Sequence, residues 1–407
     1  MRFDKSGRSW PERRSARPPQ VRTGAEQLRR GALLLAILSV LLGASKLAVS
    51  AQGGGESALT PMNFRAPEFP PPDAEQYGIT WINTFPLTMQ GLRGKVVLID
   101  FWEYTCINCI RTFPENQEWY HRYHRYGFEI IGVHDPEFDI AYSVDNVREA
   151  VQRFKLPYPV VIDDQFRIWK SYNNNSWPSR FLVDANGVVR FHRNGEGGDD
   201  AFEHAIQALL KEAHPDIQFP AEYTIPPETN SFAFSCGIPT QEMYVGDWGD
   251  RGILSNPEGY HQGKTIDYRL PSSVEDGHAV LSGRWETDRS GMIYRGKSKN
   301  HQPGPDRLLM RYHARELYSV LNVSHGRPSR LYIEQDGKWL TKTNKGVDVQ
   351  FDPQGRSYIE VHRSRMYYLV ANPAFGSHTV TLRPTNTGLT VNSFTFGNNC
   401  QTDFPHL

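Results

Sequence analysis

The chain has 407 residues, with 45 basic and 45 acidic side chains, so its formal net charge is zero. That balance argues against a nucleic-acid-binding protein. At roughly 150 residues per domain the length fits two domains plus additional segments, and 12% aromatic residues can fill more than one core.

Residues 2–30 are rich in arginine and poor in apolar side chains. Ala32 to Ala44 then form an apolar segment, and Val49-Ser50-Ala51 offers small residues to a signal peptidase. Residues 1–51 therefore read as a signal peptide or an N-terminal membrane anchor with its basic flank in the cytoplasm. The apolar stretch is short for a spanning helix and Lys46 interrupts it, so both forms stay open. Either one places the rest of the chain outside the cytoplasm, periplasmic or secreted, where disulfides persist.

Residues 52–73 carry Gly53-Gly54-Gly55 and Pro70-Pro71-Pro72 and read as a linker, flexible first and then stiff. From 74 to 215 strands and helices alternate, which predicts a three-layer α/β domain. Strands are expected at 95–101, 128–133, 159–163, 179–184 and 188–193, the last two joined by the turn signal Ala185-Asn186-Gly187. Helices are expected at 109–126, 144–154, 165–172 and 201–212. From 216 to 407 short alternating runs predict an all-β sandwich of the jelly-roll or galactose-binding-like kind. Its expected strands are 311–323, 330–334, 357–361, 366–370, 378–383 and 390–396, with turns at Asp336-Gly337, Gln354-Gly355 and Asn372-Pro373.

The chemistry concentrates at Cys106-Ile107-Asn108-Cys109, directly after the apolar run Val96–Trp102. Two cysteines separated by two residues at a helix start can close a small disulfide ring. The first then lies at the positive end of the helix, where free N–H groups favour a thiolate. Half of a zinc site is the competing reading, but no second Cys-x-x-Cys supplies the other ligands, and no metal is expected. Peroxide reduction is a weaker competitor, because Glu103 stands three residues before Cys106 where a threonine is wanted.

In these features the first domain resembles the thioredoxin superfamily in its TlpA-like branch. Asp100 stands at the buried acid's position, Phe101-Trp102 at the aromatic pair, Pro114 at the helix proline and Trp177-Pro178 at the cis-proline loop. Tyr104-Thr105-Cys106-Ile107-Asn108-Cys109, Gly132-Val133-His134-Asp135 and Gly195-Glu196-Gly197 narrow the likeness to the DipZ-type subgroup. There a carbohydrate-binding-like sandwich follows the redox domain. The resemblance implies a thiol–disulfide oxidoreductase acting on protein disulfides, with no cofactor beyond the Cys106–Cys109 pair. Cys106 is then the nucleophile and Cys109 the resolving thiol. Asp100 would accept the Cys109 proton, and Pro178 would expose backbone to a substrate strand. Trp102, Tyr104 and Trp177 are candidate substrate contacts, and His134 reads as a structural histidine. Full-length DipZ-like proteins carry a multi-span electron-feeding domain. Its absence from this sequence implies a separate membrane donor of the CcdA/DsbD type, and the likeness favours cytochrome c maturation or disulfide repair.

Cys236 and Cys400 bracket the second domain and are expected to form a structural disulfide, with free thiols or a second redox pair as alternatives. Trp248, Trp285, Trp339, Tyr312, Tyr318, Tyr367 and Tyr368 are either core rings or a glycan-stacking face, core packing being favoured. A glycan- or protein-binding protein with an accessory redox domain is thus the competing function class.

Overall fold

The structure, a computed structural model, describes residues 59–71, 79–223, 237–246, 253–296, 302–324 and 328–398. The leader at 1–51, Trp248 and both Cys236 and Cys400 lie outside the described residues. No helix among the described residues is long and apolar enough to cross a membrane.

Seven strands form the first sheet: β1 (Thr60–Arg65), β2 (Ile79–Ile82), β3 (Val96–Trp102), β4 (Phe128–His134), β5 (Val160–Asp163), β6 (Ser179–Val183) and β7 (Val188–Asn194). Their order is β1-β7-β6-β3-β4-β5-β2, with β4 parallel to both β3 and β5 and every other pair antiparallel. The central strand β3 is buried on both faces, which is why its sequence is an unbroken apolar run around Asp100. Its side chains alternate between two cores, as a period of two requires. Leu98 and Trp102 join a layer with Trp119, Val147 and Leu209, whereas Ile99 and Phe101 join a layer with Ile168 and Phe181. Apart from Phe181 on β6, these partners lie on helices α2 (Phe113–Tyr123), α3 (Val144–Arg153), α4 (Arg167–Ser171) and α5 (Asp199–Ala213), and the four-residue α1 (Ile107–Ile110) precedes them. The three-layer α/β domain is present.

Two expectations change here. Part of the segment read as linker is strand β1, which pairs with β7 at the sheet edge and turns Met62 and Phe64 toward the core. An edge position tolerates its Pro61, since one row of N–H groups is unused there. The single helix expected at 109–126 is divided into α1, α2 and a final 3-10 turn at His124–Tyr126. The break at Arg111-Thr112 falls just before Pro114, which has no N–H to continue the ladder.

The second sheet is entirely antiparallel: β8 (Met243–Tyr244), β9 (Lys264–Tyr268), β10 (Ala279–Thr287), β11 (Met292–Tyr294), β12 (Arg307–Val323), β13 (Ser329–Gln335), β14 (Lys338–Trp339), β15 (Gln350–Phe351), β16 (Ser357–Val361), β17 (Arg365–Pro384) and β18 (Leu389–Gly397). The long strand β12 pairs with β10 near its start and with β18 near its end, while β11 joins β10 to β18. This cycle of pairings folds the sheet back over one core containing Trp285, Leu317, Val380 and Phe394. The two strands expected at 366–370 and 378–383 are one, and Asn372-Pro373 makes no hairpin turn. Residues 372–375 instead bulge between the Ala314–Gly376 and Glu316–Ala371 pairs, and Arg315 Nε donates to Asn372 O at 2.9 Å.

Trp285 is fully buried, and its indole N–H donates to Ser282 O at 2.9 Å. Trp285→Ala is expected to cost about 3–5 kcal/mol, read as a lower urea midpoint. An unchanged midpoint would mean that the core is organised differently.

Candidate active site

Cys106 caps α1, and its Sγ accepts the N–H of Cys109 at 3.2 Å. Cys106 is half-buried, Cys109 is fully buried in the core, and the two are disulfide-bonded with Cα atoms 5.3 Å apart. Because α1 is so short, its stabilising contribution to a Cys106 thiolate is this local N–H rather than a long helix dipole. The turn ahead of Cys106 is pinned from below. The buried Glu103 carboxylate accepts the Thr105 N–H at 2.6 Å and also the Thr105 hydroxyl, and it lies 3.8 Å from His134 Nε2.

Asp100 is fully buried on β3. Its Oδ2 accepts from Asn116 Nδ2 at 2.8 Å, and its Oδ1 has no hydrogen-bond partner among the described residues. Burial pushes its carboxyl up to about 6, against the pull of the Arg180 charge and the Asn116 bond. Arg180 faces Asp100 in the β3–β6 register; its guanidinium holds Asp199 at 2.9 Å and Gly197 O at 2.7 Å. Burial also lifts Glu115 and Glu196 to about 7. Asp100, Glu115 and Glu196 thus share a sign: each binds its proton more tightly in the folded protein than in the unfolded one. The native state holds the extra protons between about pH 4 and pH 7, so their contribution favours folding at low pH and is lost as pH rises through that window. Asp100→Asn is therefore expected to gain stability over the parent from pH 4 to pH 8, by up to about 3 kcal/mol. Parallel pH–stability curves for the two proteins would contradict this.

The Trp177–Pro178 peptide is cis, Pro178 is buried, and its carbonyl accepts the Gly195 N–H at 2.8 Å. Trp177 is half-buried against Trp169 and lines a cavity of about 230 Å³ with Phe138, Tyr244 and Arg289. Trp102 and Tyr104 do not fit the role of substrate contacts, because both are buried. Trp102 packs edge-on against Phe113 and His134, and Tyr104 stacks on His134. His134 is accordingly a packing residue.

The second domain reaches the site. Ile107, between the cysteines, is buried with Tyr318 and Tyr368, and Met366 packs against them. Arg111 bridges Glu196 at 3.6 Å and Glu316 of β12 at 3.4 Å. Of the rings considered for glycan stacking, Trp285, Tyr312 and Tyr367 fill the sandwich core, and Tyr318 and Tyr368 abut the active-site helix. Trp339 is half-buried. None of these contacts to Ile107 and Arg111 was drawn from sequence. The faint signal was Glu316-x-Tyr318, which puts an acid and a ring on one face of a strand.

A profile described as the AhpC/TSA family matches residues 63–192, and one described as a thioredoxin-like C-terminal domain matches 240–397. Protein DipZ of Mycobacterium bovis is 32% identical over 331 residues, which are 79% of this chain and 42% of that protein. The thiol-disulfide oxidoreductase ResA of Geobacillus kaustophilus is 30% identical over 174 residues, 43% of this chain and 92% of that protein. The chain belongs to the DipZ/TlpA-like thioredoxin family. Like ResA, its first domain is that of a thioredoxin-like thiol–disulfide oxidoreductase. Among solved structures, a DsbE from Chlorobium tepidum covers 38% of the chain and 99% of its own length, at 23% identity and a TM-score of 0.32. The chain spans less than half the length of the DipZ proteins it matches.

Proposed function

We propose that the protein is an extracytoplasmic oxidoreductase that reduces disulfides in other proteins, serving cytochrome c maturation or disulfide repair. The observation that carries this reading is a half-buried Cys106 bonded to a buried Cys109, with the Asp100 carboxyl on the strand beneath. In the reduced protein the Cys106 thiolate attacks one sulfur of a substrate disulfide. The substrate S–S bond breaks, its other sulfur leaves as a thiolate that takes a proton, and a mixed disulfide joins Cys106 to the sulfur it attacked. Asp100 accepts the Cys109 proton, the Cys109 thiolate attacks Cys106 Sγ, and the second substrate thiol departs. Two electrons pass to the substrate and the Cys106–Cys109 bond is left behind. Pro178 and Trp177 border the incoming strand. A separate membrane protein of the CcdA/DsbD type would return the electrons, in keeping with the basic and apolar leader.

The reduction potential of the Cys106–Cys109 pair, equilibrated against a thioredoxin standard, tests the direction. A value at or below about −270 mV is expected for a reductase. A value near about −120 mV would make the protein a disulfide donor instead.

A further inference from the structure

A cavity of about 660 Å³ opens between the active-site helix and the second domain. That volume lies in the range of ligand sites, roughly 300–1,000 Å³. Its inner wall is apolar: Ile107 and Ile110 on one side, Tyr318, Tyr368 and Met366 on the other. Its charged lining is unequal. Arg153 and Lys155 enter from the end of α3, Arg363 and Arg365 from the second domain, and Asp348 is the one acidic lining residue. Asp348 is engaged by Arg365 at 2.7 Å, and Arg363 pairs with Glu149. Arg153 and Lys155 form no ion pair among the described residues. Desolvation and then the neighbouring Arg365 charge hold the Arg153 guanidinium below its ordinary range, against the pull of Glu149 and Asp348. Two exposed cations therefore border a half-apolar cleft with no carboxylate in salt-bridge contact, near Ile107 between the two cysteines.

We infer that this cleft is the substrate subsite of the oxidoreductase proposed above, and that it takes an acidic polypeptide segment flanking the substrate's disulfide. The apolar wall would cover the segment's side chains. Its carboxylates would pair directly with Arg153 and Lys155, with Arg153 able to form paired hydrogen bonds to one of them. The second domain would thereby contribute half of the substrate site.

The test uses the full chain, reduced beforehand and mixed in single turnover with three disulfides. Two are synthetic peptides whose disulfide is flanked by Asp and Glu or by Lys and Arg; the third is neutral bis(2-hydroxyethyl) disulfide. Oxidation is followed by tryptophan fluorescence. The acidic peptide is expected to react at least tenfold faster than the basic one at low salt, with the gap closing at high salt. Arg153→Glu with Lys155→Glu should reverse the preference and leave the neutral disulfide unaffected. Should that variant misfold, Arg153→Gln with Lys155→Gln should erase the preference. Equal rates for the two peptides, or a preference the variants do not move, would overturn the subsite while normal reaction of the neutral disulfide left the oxidoreductase standing. Failure of all three disulfides to react would remove both.

Discussion

Cys109→Ser is expected to leave the protein joined to its substrates. With the resolving thiol gone, Cys106 can still open a substrate disulfide, but nothing attacks the mixed disulfide from within. Covalent adducts should accumulate, visible as higher-mass bands on non-reducing gels that collapse on reduction, and catalytic turnover should fall to background. Cys106→Ser should give no turnover and no adducts, because Cys109 is buried and does not face the substrate. A Cys109→Ser protein that turns over normally would end the two-thiol mechanism. A cellular phenotype untouched by Cys106→Ser would favour the binding-protein alternative, with the redox domain as an accessory.

Asp100→Asn is the second large effect, and it should be confined to one step. The side chain stays almost the same size, so packing around β3 is retained, but the proton acceptor is gone. General acid–base catalysis is worth about 10²–10⁴ in rate, and the lower end suits a carboxyl that acts over some distance. We expect the first attack by Cys106 to change little and the release step to slow by about tenfold to a hundredfold. In the parent the release rate should rise with pH around the Asp100 titration near 6, as the carboxyl becomes able to take a proton. In Asp100→Asn that rise should be absent. Stopped-flow measurement of adduct decay against pH separates the steps. A release profile with the same inflection in both proteins would assign the proton transfer to another group. The same variant should be the more stable protein at high pH, so a slower release would not be a folding defect.

Much of this site could be read from the chain before any coordinates. Cys106, Cys109 and Asp100 fall within ten residues of one another on a strand and the helix after it, where local spacing decides geometry. Trp177-Pro178 is distant in sequence but carries its own signature, since proline is the residue that makes a cis bond accessible. What escaped was of two kinds. Strand β1 hides in a proline-bearing segment because an edge strand needs only alternate apolar side chains and half its backbone bonds. The burial of Trp102 and Tyr104, and the packing of Tyr318 and Tyr368 on Ile107, depend on contacts between elements that local pattern does not encode. The same large aromatic ring suits a core, a substrate platform or a domain seam, and only tertiary placement separates the three. Asn372-Pro373 misled for a related reason: a bulge inside one strand uses the residues that elsewhere make a turn.

Arg111 sits two residues beyond the active-site pair and holds Glu196 on its own domain and Glu316 on the other. A recombined gene that kept the cysteine motif but exchanged the second half would strand that guanidinium with one carboxylate and leave Ile107 facing whatever surface replaced Tyr318 and Tyr368. The two halves therefore fit together as a matched set at this seam. A change in the sandwich at these positions would alter the packing around the active-site helix.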